Sequence, residues 1–245
     1  PTVLATSSPL TELDEYIVSR LTTTGLSRVI ELPGRESKST KRLGNIEPQM
    51  LKRMGFESFD LRGNNPSASQ RTSLGAAFQA AVNFAADQDG WLTLFGETGV
   101  GKTHLAIAIA KEHIDKGGSV FFAFVPELLD YLRYAFSPDS ETTYDHLFEE
   151  VKNIPLLILD DLGQELSTAW ANEKLYQIIV HRHNARLPTV VTSMMDFSKE
   201  RGPISSRVQD PSVGQLIRID APDYRNKTRG VRQSKRIAPK GKAGR

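Results

Sequence analysis

Cysteine is missing from the sequence altogether. Its absence removes disulfide frameworks, thiolate zinc sites, iron–sulfur clusters and thiol nucleophiles from the available chemistry. Long apolar runs are missing too: none approaches the ~18 residues that a membrane helix needs, so no membrane association is expected. No charged-then-apolar secretory leader is recognisable, and the economical expectation is a reducing cytoplasm. There is no internal repeat, and no Ser-His-Asp nucleophile arrangement stands out. His181 and His183 are two positions apart, which on a helix turns them about 200° away from each other and keeps them from sharing a metal.

What remains has the composition of a globular chain: 245 residues, 39% hydrophobic and 24% charged. That length suits one α/β domain with modest extensions rather than two large domains. The formal net charge of +2 conceals an asymmetry. Eight Lys or Arg residues and no acid fall between Asn226 and Arg245; without them the 31 basic residues drop to 23 against 29 acidic ones, a net of −6. The tail has too little apolar surface to order itself and is expected to be flexible, with contact to nucleic-acid phosphates as one use and solubility as the other.

Three parts are expected along the chain: a small N-terminal helical segment with its linker at 1–56, a central domain at 57–225 and the basic tail at 226–245. The first part carries one amphipathic candidate, Leu10 to Leu21, then a polar, basic stretch from Gly34 to Arg42. From Gln70 to Ala86, Leu74, Ala77, Phe78, Ala81 and Phe84 recur at helical spacing. From Trp91 onward, strand and helix patterns alternate. Strands are predicted at 91–95, 119–125, 155–160, 188–193 and 214–220, and helices at 102–116, 126–136, 143–152 and 169–185. Continuous apolar strands separated by helices predict an α/β fold with a five-stranded parallel sheet covered on both faces.

Gly96-Glu97-Thr98-Gly99-Val100-Gly101-Lys102-Thr103 matches the G-x-x-x-x-G-K-[ST] phosphate loop, and it lies where that loop works, after a strand and opening a helix. Its glycines let successive N–H groups turn inward around an anion, and the helix N-terminus adds positive potential. Lys102 is expected to reach the β- and γ-phosphates of ATP, and the Thr103 hydroxyl to ligate Mg²⁺, which prefers hard oxygen donors. A neighbouring strand ends in Leu156-Leu-Ile-Leu-Asp160-Asp161. Asp160 is expected to face the metal, and Asp161 to polarise an attacking water.

With both motifs placed, the sequence resembles the AAA+ ATPases of the bacterial helicase-loader group, the DnaC and DnaI proteins, and their relative IstB, a transposition helper ATPase. The resemblance covers roughly residues 56–225. It is carried by Phe59-Asp60, Arg62-Gly63-Asn64, Gly-Lys-Thr-His-Leu-Ala at 101–106, Leu-Asp-Asp-Leu-Gly at 159–163, His181-Arg-His-Asn-Ala-Arg-Leu-Pro-Thr189 and Ala-Pro-Asp-Tyr-Arg at 221–225. It implies nucleotide contact from Gly96 through His104, an arginine finger at Arg207 that completes a neighbouring subunit's site in a homo-oligomer, and a sensor arginine at Arg225. The paired helices before Asp160 resemble the extra helical element of the initiator and loader clade. Few residues follow the last strand, which implies a short or absent C-terminal lid.

One position departs from the family pattern. Thr192-Ser193 is followed by Met194, where relatives carry an asparagine that orients the attacking water. Either a neighbouring hydroxyl takes over or hydrolysis is slow. The resemblance therefore implies an ATPase, slow and dependent on assembly or DNA, that loads the replicative DNA helicase onto single-stranded DNA with residues 1–56 gripping the partner. Two alternatives stand beside it: a transposition helper that assembles on duplex DNA and directs a transposase, and a nucleotide-gated adaptor with little hydrolysis.

Overall fold

The computed structural model describes residues 44, 46–135, 144–163 and 168–226. Helix α1 (Pro48–Arg53) opens on a proline, whose missing N–H has no partner to lose at a helix start. A 3-10 turn, Phe56–Ser58, follows. Helix α2 (Ala68–Asp87) begins at a capping box: the Ser67 hydroxyl accepts from the Gln70 N–H, and the Gln70 side chain accepts from the Ser67 N–H.

Then come β1 (Trp91–Gly96), α3 (Lys102–Asp115), β2 (Val120–Phe124), α4 (Val125–Tyr134), α5 (Tyr144–Asn153), β3 (Leu156–Asp160), α6 (Ala169–Asn184), β4 (Thr189–Ser193), α7 (Pro203–Val208) and β5 (Gly214–Ile219). All five strands run parallel in the order β2-β3-β4-β1-β5. This is the AAA+ P-loop architecture, as expected, and the strands fall within one or two residues of the sequence pattern.

Alternation along each strand builds two core layers. Leu92, Leu94, Leu156, Ile158 and Val190 face Leu74, Ala77 and Ala81 of α2 and Leu105, Ile107 and Ile109 of α3. On the other face Leu157, Leu159 and Val191 pack with Leu128 and Leu132 of α4, Leu147 and Val151 of α5, and Leu175 and Ile178 of α6. Helices α1 and α7 are not in the sequence pattern, because six residues are too few for a 3.6-residue period to show.

The core also reaches ahead of residue 57. Gly44 accepts a hydrogen bond from the Phe122 N–H at 2.9 Å on the edge of β2, Ile46 is buried, and Met50, Leu51 and Met54 pack against the α2–α3 layer. The Leu10–Leu21 helix candidate and the basic stretch from Lys227 to Arg245 lie outside the described residues.

Arg182, fully buried on α6, joins the entries of two strands. Its Nε donates to Thr189 Oγ1 at 2.9 Å, Nη1 to the carbonyls of Lys152 and Ile154 at 3.0 and 2.9 Å, and Nη2 to the Pro188 carbonyl at 2.7 Å. Burial lowers its pKa to about 10, so it stays charged and uses its fork to satisfy backbone oxygens.

Candidate nucleotide site

Parallel sheets bind ligands at the carboxyl ends of their strands, where the strand order reverses. Here β1 sits between β4 and β5, and the tips of β1, β3 and β4 converge on a cleft of about 1010 Å³. That volume accommodates a nucleotide.

The β1 tip feeds the phosphate loop. Gly99 has φ +79°, and a Cβ there would come within 1.8 Å of Asp223 Oδ1. Gly101, at φ +104°, caps α3 with its N–H groups free of any side-chain cap. Lys102 folds back into the loop, with Nζ donating to the carbonyls of Gly96 at 2.7 Å and Glu97 at 2.8 Å. Burial pushes its pKa below the usual lysine value, although Asp161, Asp160 and Glu97 pull it upward. Arg225 adds to the downward push. A polyanion in the loop offers this ammonium the counter-charge that the carbonyls cannot.

The β3 tip supplies the carboxylates. Thr103 Oγ1 lies 3.0 Å from Asp160 Oδ1, and Thr192 Oγ1 donates to the same oxygen at 2.6 Å. Burial raises the Asp160 pKa, while the Thr192 and Thr103 hydroxyls hold it down. A hydroxyl and a carboxylate in contact form a hard-oxygen donor pair that fits Mg²⁺, an ion that takes its remaining ligands from water and phosphate. Among the described residues no cluster of three or more His, Asp or Glu forms an all-protein metal cage. Asp161 lines the cleft in left-handed backbone, φ +61°, with its side chain exposed. Its N–H donates to Thr192 Oγ1 at 2.9 Å.

The β4 tip ends in two hydroxyls, both engaged in hydrogen bonds. Thr192 gives its proton to Asp160, and Ser193 gives its own to the Leu162 carbonyl while accepting from the Met195 N–H. Neither hydroxyl proton is free for a phosphate or a water. Met194 is 54% exposed in the cleft, with its sulfur 3.3 Å from Thr98 Oγ1.

Thr98, Gly99, Val100, Gly101, Lys102, Thr103, His104, Asp160, Asp161 and Arg225 all line this one cleft. Gly96 and Glu97 act through the carbonyls that hold Lys102. Arg225 follows the last strand, where its N–H donates to Asp223 Oδ1 and the neighbouring Tyr224 N–H donates to the Gly99 carbonyl. Arg207 is not among the lining residues: on α7, its Nη1 donates to the Pro203 carbonyl at 2.8 Å, and its guanidinium stands 5.3 Å from the Tyr176 ring. Met54, Ser58, Phe59, Asp60 and Pro66 build a further wall of the cleft that the sequence motifs do not predict. Phe59-Asp60 and Arg62-Gly63-Asn64 carry the family resemblance in this stretch, but no chemistry in them marks a cleft wall.

The family model described as IstB-like ATP binding protein matches residues 29–215. The replicative helicase loader DnaI of Bacillus subtilis is 35% identical over 103 residues, covering 42% of this chain and 32% of DnaI. The replicative helicase loader DnaC of Escherichia coli is 26% identical over 137 residues, covering 55% of this chain and 56% of DnaC. The chain thus matches about a third of one relative's length and just over half of the other's. A crystal structure of DnaI superposes with a TM-score of 0.56 at 27% identity, covering 74% of this chain and 94% of that one.

Proposed function

Because the chain belongs to the family of IstB-like ATP-binding proteins, we propose that it is an ATP-dependent assembly factor that loads a replicative helicase onto single-stranded DNA. The observation that carries the reading is the cleft itself, with a phosphate loop, a Thr103–Asp160 donor pair and a second carboxylate at Asp161 gathered at the neighbouring ends of β1, α3 and β3. The choice of helicase loading rests on the similarity to DnaI and DnaC.

In this reading the α3 N-terminus and Lys102 hold the triphosphate, with Nζ leaving the Gly96 and Glu97 carbonyls for phosphate oxygens. Thr103 and Asp160 would hold Mg²⁺, which, when bound, neutralises phosphate charge. Asp161 accepts a proton from the attacking water, and Arg225 adds positive charge from the same chain. Arg207, which does not line its own cleft, serves that of a neighbouring copy, which ties hydrolysis to assembly.

The committed protons of Thr192 and Ser193, with Met194 beyond them, leave the β4 tip without a free side-chain donor for a water or phosphate oxygen. Turnover is therefore slow, and bound ATP acts chiefly as a switch that favours the assembled state through its higher affinity for that state. A transposition helper is the second reading, and the family match supports it. Capture of purified replicative helicase in the presence of ATP supports loading. Capture of a transposase, or assembly on duplex DNA with no helicase capture, favours the second reading and leaves the ATP site intact.

A further inference from the structure

One wall of the cleft is fastened to the phosphate helix by a side chain that follows Thr103. His104 Nε2 lies 3.0 Å from the Gly55 carbonyl oxygen and 3.3 Å from Ser58 Oγ. A carbonyl only accepts, so Nε2 carries the proton and donates. Ser58 Oγ gives its own proton to the Arg53 or Gly55 carbonyl, at 2.8 and 2.9 Å, which leaves a lone pair facing His104. The Phe59 ring meets His104 edge-on at 5.1 Å, and a Cβ on Gly101 would come within 2.9 Å of that ring. Lys111, seven residues along the same helix, stands 3.6 Å from Glu57. The segment Gly55–Phe59 therefore rests on the turn of α3 that presents Lys102 and Thr103.

We infer that His104 is a positioning residue whose Nε2–H holds Gly55–Phe59 against the phosphate loop, so that the segment forms the wall for the nucleoside half of the nucleotide. The inference rests on the reading of the cleft as an ATP site. With the triphosphate on Gly96–Thr103, the apolar side chains of Met54, Phe59, Pro66 and Leu74 line the rest of the same cleft and offer a purine and ribose a surface to pack on. His104 acts on the nucleotide through Gly55, Ser58 and Phe59. Its loss weakens the nucleoside half of binding and spares the phosphate half.

The test compares the unmodified 245-residue chain with His104→Ala, His104→Phe and His104→Gln, each checked for an unchanged melting temperature. Affinities for ATP and for inorganic tripolyphosphate are measured by calorimetry in magnesium buffer. The Ala and Phe variants are expected to lose ATP affinity roughly three- to tenfold, the worth of one hydrogen bond, with tripolyphosphate affinity held within about twofold. The Gln variant keeps an N–H donor of similar reach and restores most of the ATP affinity. The inference is overturned by unchanged ATP binding in the Ala and Phe variants, by equal losses for ATP and tripolyphosphate, by no rescue with Gln, or by tripolyphosphate failing to bind the unmodified chain. An unmodified chain that does not bind ATP overturns the underlying site reading instead, and that result is distinct from all four.

Discussion

The sulfur of Met194 contacts the Thr98 hydroxyl at the mouth of the phosphate loop, and the two residues before it have their protons committed elsewhere. A thioether is a weak acceptor and no donor, so it gives an attacking water no orientation. Met194→Asn puts two N–H donors at this tip, and ATP turnover is expected to rise by up to about tenfold, the kinetic equivalent of one added hydrogen bond. Steady-state phosphate release at saturating ATP checks this, and an unchanged or lower rate contradicts it. Thr192 illustrates why the sequence alone could not decide: a hydroxyl reads the same in any sequence, and only the fold shows it donating to Asp160 while accepting from Asp161. The phosphate loop and the two aspartates were legible because their chemistry demands particular residues at fixed spacing. The nucleoside wall was legible only in part: Phe59 falls in a stretch that resembles the family, whereas Met54, Ser58 and Pro66 are ordinary residues brought to the cleft by packing.

Elements tell a similar story. Strands with continuous buried faces and helices of ten residues or more show in the pattern, whereas α1 and α7, six residues each, are set by contacts with α3 and α6 that no local period reports. The junction of α5, α6 and β4 depends on Arg182, which appears in the sequence as one more basic residue near a helix end. Arg182→Met leaves the Lys152, Ile154 and Pro188 carbonyls without this partner, and a loss of stability on the order of 3 kcal/mol is expected in urea unfolding. Near the start of β5, the hydrogen bonds of Ser212, and then His183, lower the Asp210 pKa from 3.8 to about 2. A folded value below the unfolded one means that this contribution is complete above pH 3.8 and is lost as pH falls toward 2. The melting temperature of Asp210→Asn is therefore expected to fall less steeply across that window than that of the unmodified chain. Parallel slopes for the two proteins contradict the assignment.

For the molecule as a whole, a mildly acidic body carries an ATP cleft whose lining includes Arg225 but not Arg207. That division fits the proposal that ATP is read by an assembly rather than by one copy, in which a switch needs occupancy more than turnover. Any truncation that probes the role of the N-terminal residues has to stop short of Gly44, because Gly44 and Ile46 belong to the core. The most direct test of the whole account is capture of purified replicative helicase by the full chain, with ATP, without nucleotide, and with Lys102→Ala in place of the unmodified protein. Capture is expected to be strongest with ATP and to be lost with Lys102→Ala. Absence of capture in every condition, from a protein that demonstrably binds ATP, contradicts helicase loading.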